Sequence, residues 1–153
     1  QSARGLGAVI GSSIYLAVGQ RPHQGKILIV TAILYGIAFA LFGVAPTFAL
    51  ALLLMVFIGM TDTFWGAARG TIMQLITPDK FRGRVMGVFQ LSIRGLHPLG
   101  QVESGLLIPL IGVRQTTVFG GLLVTLVTIL IAWKVPAIPK FRWDDERYKA
   151  AAE

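Results

Sequence analysis

Five long apolar runs, separated by breaks of only a few residues, leave this chain few folds to choose from. They cover residues 6–19, 27–44, 48–76, 85–111 and 116–133. A bilayer's hydrocarbon core is about 30 Å thick and takes about 20 helical residues to cross. Backbone within it must satisfy its hydrogen bonds internally, which an α-helix does within its own segment. The expected fold class is therefore all-α, a polytopic transmembrane bundle of about five spans over residues 1–135, followed by a polar tail over 136–153. Composition agrees, since 54% of the 153 residues are hydrophobic and only 14% are charged, against about 25% charged in soluble domains. The mean hydropathy is +0.71. The run at 6–19 is short and glycine-rich. It begins close to Gln1 with no charged leader before it, so the chain reads as the back portion of a longer one.

The breaks carry ordinary turn chemistry: "QRPHQGK" at 20–26, "APT" at 45–47, "TPDKFRGR" at 77–84 and "GVRQ" at 112–115. Connections this short make consecutive helices antiparallel. Alternate breaks then fall on opposite faces of the membrane. One face collects Arg21, Lys26, Lys80, Arg82 and Arg84, together with Lys134, Lys140, Arg142, Arg147 and Lys149. The other holds Arg4 and Arg114. By the positive-inside rule the first face, with the C-terminus, is cytoplasmic. The same rule accounts for the net charge of +7 without a nucleic-acid partner. Pro78 ends the third span and Asp79 is placed to cap the turn after it. Trp133 and Lys134 read as interfacial anchors.

Charges inside the spans point to function, because an ionisable group at mid-bilayer costs at least about 2.5 kcal/mol on insertion scales unless it faces a partner or a water-filled cavity. Four such groups occur: Asp62 and Arg69 on the third span, Arg94 and Glu103 on the fourth. Asp62 and Arg69 are seven apart, so they share a helix face with Trp65 and Gly66 between them. Gln90, Arg94, His97 and Gln101 make one polar stripe down the fourth span. Glu103 falls nearly opposite Arg94. Counted from the hairpin at roughly 1.5 Å per residue, Arg69 and Arg94 lie about 12–15 Å deep and the two acids beyond about 20 Å. Pro98 and Pro109 are expected to kink the fourth span. Gly7 and Gly11, four apart, suit close helix packing in lipid.

Other chemistries find no support. No cysteine is present, no metal-binding or nucleotide-binding signature occurs, and two lone histidines make no catalytic set. An enzyme, a cofactor and a metal site are not expected.

The hairpin Pro78-Asp79-Lys80-Phe81-Arg82-Gly83-Arg84-Val85, with Pro98-Leu99-Gly100 and Gly105 on the following span, resembles the "P-x-x-x-R-G-R-V" and "P-L-G-x-x-x-x-G" patterns of major facilitator superfamily transporters. The branch resembled is the one with the enterobactin exporter and macrolide efflux proteins, and the likeness is to their C-terminal half. The loop "GQRPHQGK" keeps Gly19, Arg21, Gly25 and Lys26 of a superfamily signature but lacks its aspartate. The resemblance implies that the five spans are the eighth to twelfth of twelve. It also implies a proton-coupled exporter of a small molecule, such as a siderophore or drug, working by alternating access. Its partners would be the lipid bilayer, the substrate and the missing N-terminal bundle of the same transporter.

On this reading the substrate pathway draws on Gln90, Arg94, His97, Gln101, Trp65 and Arg69. Asp62 and Glu103 are the proton-coupling candidates, because a low-dielectric span favours the neutral form of a carboxyl and so permits proton carriage. Arg82, Gly83 and Arg84 would form a cytoplasmic gate or topology element. The location would be the cytoplasmic (inner) membrane. The rival reading is a non-transporting membrane scaffold in which the same charges are static interhelical pairs.

Overall fold

A computed structural model describes residues 2–18 and 23–140, the side chains at 18, 96, 97, 99, 101, 103, 104 and 140 excepted. The described chain is all helical: α1 (Ser2–Val18), α2 (Gln24–Val44), α3 (Phe48–Ile76), a 3₁₀ turn (Asp79–Phe81), α4 (Arg82–Lys134) and α5 (Ala137–Lys140). Three stretches among the described residues are long and apolar enough to cross a membrane: Gln24–Val44, Phe48–Ile76 and Gly105–Lys134.

The bounds of α3 coincide with the sequence reading, and its ends show why. Thr47 accepts a hydrogen bond from the Leu50 N–H at 3.3 Å through its side chain, capping the start. Thr77, with φ −98° and ψ 120°, adopts the extended backbone favoured before a proline, and Pro78 follows. After Pro78, Asp79 does not cap a helix. It opens the 3₁₀ turn and pairs with Arg82 instead.

The fourth and fifth runs differ from expectation in how they are joined. Helical geometry continues through Pro98 and Pro109, and the break is Gly112 alone, at φ 82° and ψ 159°. That conformation is essentially restricted to glycine, so one residue does the work assigned to the four at 112–115. The chain reverses here. Residues 107 and 108 lie across one small cavity from 116, 117 and 120, a juxtaposition that a straight helix would spread over roughly 12–20 Å. α4 is thus two arms, residues 82–111 and 113–134.

Close backbone approach at glycines fixes the packing. α1 runs alongside α3: a Cβ on Gly7 would overlap the Val56 carbonyl, and one on Gly59 the Arg4 carbonyl. Tyr15 meets Phe64 edge to face at 5.5 Å, and its hydroxyl donates to Gln24 Oε1 at 3.2 Å. α2 packs on α3 and on α4, where a Cβ on Gly36 would lie 2.8 Å from the Gly121 carbonyl oxygen. Several threonine hydroxyls within the helices donate back to carbonyls one turn earlier, as from Thr31 to Ile27 (2.7 Å) and from Thr61 to Phe57 (3.0 Å), so those protons are not left bare in lipid.

Leu28 near the start of α2, Ile76 at the end of α3, and Ala137 and Ile138 of α5 surround one cavity. The start of α2, the hairpin after α3 and the end of α4 therefore gather at one end of the bundle, as the alternating topology requires. The arm 82–111 stands mostly exposed.

Candidate functional site

Asp62 sits at the midpoint of α3, equidistant from Phe48 and Ile76, which puts it roughly 21 Å from either end. Arg4 Nη2 donates to Asp62 Oδ2 at 2.7 Å, and both side chains are about half exposed. The sequence reading counted Arg4 among loop charges; it lies within α1, and the tight passage of α1 over Gly59 carries its guanidinium to the acid on the next-but-one helix. A charge-assisted bond of this length is among the stronger polar contacts a protein makes. It also answers the question of what balances a carboxylate at mid-span.

Asp62 borders a cavity of about 360 Å³ lined also by Ala32, Tyr35, Trp65, Val124 and Thr128. α2 supplies Ala32 and Tyr35 one turn apart, and Tyr35 stacks on Phe39 with centroids 6.0 Å apart. From the second arm of α4 comes Thr128, whose hydroxyl proton is held by the Val124 carbonyl at 2.7 Å while its oxygen remains able to accept.

Two turns along α3 from Asp62, the Arg69 guanidinium carbon lies 4.1 Å from the centroid of the Trp65 ring and 5.1 Å from that of Phe89. Arg69 Nε is buried with no hydrogen-bond partner. Beyond it lies the second cavity, about 340 Å³, walled by Leu28, Ile72, Met73 and Ile76. Positions 62, 65, 69, 72 and 76 recur at three or four residues, so one face of α3 lines both cavities from mid-helix to its end. Cations over aromatic faces gain about 0.5–2 kcal/mol, so the two rings offset part of the cost of holding a guanidinium at that depth.

The sequence-derived residues therefore divide. Asp62, Trp65 and Arg69 come together on α3, joined by Arg4 and Tyr35, which the sequence reading did not single out. Gln90 and Arg94 are exposed on the arm 82–111, and of that arm's residues it is Phe89 that meets the α3 cluster through Arg69. The side chains of His97, Gln101 and Glu103 lie outside the described residues, as do Arg21 and residues 141–153. Arg82 pairs with Asp79, and Gly83 and Arg84 are exposed at the bundle end. Arg4 left one signal in the sequence: Asp62 needs a cation, and Arg4 heads an apolar run. Among the described residues no cluster of metal-binding side chains occurs.

Compared with known protein families, residues 1–150 match the family described as transmembrane secretion effector. No curated protein and no solved structure matches.

Proposed function

The chain belongs to the transmembrane secretion effector family, of major facilitator type, and from that membership we propose that it forms the C-terminal half of a proton-coupled exporter of a small organic molecule such as a siderophore or drug. The observation that carries the proposal is the Arg4–Asp62 pair at the middle of α3, opening on a cavity of about 360 Å³. Its size is that of a pocket for a small organic ligand. A carboxylate in that position has two alternative partners, a guanidinium and a proton. Taking the proton releases Arg4, and that exchange gives the bundle two states for alternating access to use. A static scaffold would need the pair but not the cavity beside it.

In this proposal α1, α2, α3 and the two arms of α4 are the eighth to twelfth of twelve spans, so that residues 1–135 form the bundle and 136–153 a tail. Trp65 and Arg69 line the substrate pathway on α3. Gln90, Arg94, His97 and Gln101 present the arm 82–111 to the missing N-terminal bundle, where an exposed polar stripe acquires its use. Asp62 is the principal proton carrier and Glu103 the second candidate. Arg82, Gly83 and Arg84 form the cytoplasmic turn of an inner-membrane protein. To check that orientation, a cysteine at Lys80 in this cysteine-free chain is expected to resist an impermeant thiol reagent on intact cells, whereas one at Arg114 is expected to react.

The function is tested in everted membrane vesicles with an acid interior, containing the full-length protein. Members of a panel of aromatic acids, amines and neutral macrocycles that are substrates are expected to dissipate the pH gradient above the vector control. A gradient indifferent to every member of a panel that the same cells demonstrably export would count against coupled transport.

A further inference from the structure

The charge arrangement around the α3 cavities specifies more than a small molecule. Asp62 is already engaged by Arg4 at 2.7 Å, so its carboxylate does not present an uncompensated negative charge to a ligand. Arg69 differs: among the described residues it makes no ion pair, and its Nε is buried without an acceptor. Asp62 is near enough for its charge to be felt at Arg69, but it makes its ion pair with Arg4. Asp79 pairs with Arg82. Asp62 lies two turns away along α3, roughly 10 Å in helical rise. Arg4, Asp62 and Arg69 together leave one net positive charge, carried by Arg69 between the rings of Trp65 and Phe89.

Resting on the transporter reading, the geometry points to a planar aromatic carboxylate as the ligand class of this site, with Arg69 as its anchoring residue. A guanidinium fork matches a carboxylate in two parallel hydrogen bonds, and the half-buried arginine has one donor, Nε, buried without an acceptor. Arg69 itself borders the neighbouring cavity of Leu28, Ile72 and Ile76, and Trp65, on which it stacks, is the wall between the two. The carboxylate would reach Arg69 past the Trp65 edge while the aromatic body lies along Tyr35, with Ala32 and Val124 leaving room for a ring face. A cationic ligand meets the opposite situation. Asp62 is occupied, Arg4 and Arg69 repel it, and the Trp65 face that would attract it already holds Arg69.

The test is a binding titration by calorimetry on purified full-length protein in detergent, using three probes that share one ring system: 1-naphthoate, neutral 1-naphthamide and cationic 1-naphthylmethylamine. The expected result is binding of 1-naphthoate at least about tenfold tighter than either other probe, a difference of roughly 1.4 kcal/mol. That preference should vanish in Arg69→Gln and survive in part in Arg69→Lys, which keeps the charge but not the fork. Equal or tighter binding of the amine or the amide to the parental protein overturns the inference, and this needs no variant to fold. Persistence of the full preference in Arg69→Gln overturns it as well. The two readings fail separately: coupled export of an amine with no binding of 1-naphthoate removes the ligand class and leaves the transporter, whereas carboxylate-selective binding without proton-coupled flux does the reverse.

Discussion

Asp62→Asn is expected to disconnect transport from the proton gradient while leaving the protein folded. Asparagine keeps the shape of the side chain and an oxygen that accepts from Arg4, so the contact between α1 and α3 survives in weakened form. What it cannot do is alternate between a charged state that holds the guanidinium and a neutral state that releases it. Gradient-driven efflux should fall by at least about tenfold, equivalent to roughly 1.4 kcal/mol of coupling, with exchange of labelled for unlabelled substrate largely preserved. Arg4→Gln should impair the same step by removing the competing cation. Because the two groups touch at 2.7 Å, the double variant should be less damaging than the sum of the singles, as contacting residues generally show. Normal gradient-driven efflux by Asp62→Asn would reduce the pair to interhelical glue.

The second large effect is structural. Gly121→Leu should destabilise the bundle more than any exposed substitution, because even a Cβ there would overlap Ala40 N and approach the Ala40 Cα to 2.9 Å. The neighbours are backbone atoms and cannot rotate aside, so α2 and the second arm of α4 must move apart. Overpacking of this kind costs about 1–3 kcal/mol or more. It also undoes the close approach that drives helix association in lipid, where no hydrophobic effect holds helices together. Gly70→Ala is the control. A Cβ at Gly70 meets nothing within 4 Å, and alanine is favoured over glycine in a helix by about 1 kcal/mol. Thermal unfolding of the purified full-length protein should show a fall of several degrees for Gly121→Leu and no loss for Gly70→Ala. Equal midpoints would mean that α2 and α4 do not pack through their glycines.

These two sites also show what a sequence can and cannot reveal. The span 48–76 was legible because both ends are written locally, in Thr47 and in Thr77-Pro78, and because no tertiary contact is needed to end it. Asp62 was legible as an anomaly of charge in an apolar run. Its partner was not, since Arg4 is 58 residues away in sequence and helical periodicity relates only residues of one helix. Periodicity placed Arg69 on the face of Asp62, and the structure keeps both there, Asp62 paired with Arg4 and Arg69 against Trp65 and Phe89. Tyr35 was hidden in a uniformly apolar α2 and acquires a role only where α3 and α4 flank it. The reversal at Gly112 was placed correctly and drawn too wide, because a single positive φ suffices where a loop was expected. For the arm 82–111 the stripe is plain in the sequence, and its use depends on a surface supplied from elsewhere.

In the proposed cycle Asp62 exchanges a guanidinium for a proton as the substrate comes and goes. The measurement closest to that step is the number of protons that purified full-length protein releases into unbuffered detergent solution when substrate saturates it. Release by the parental protein and none by Asp62→Asn is the predicted result. Equal release by both would contradict it.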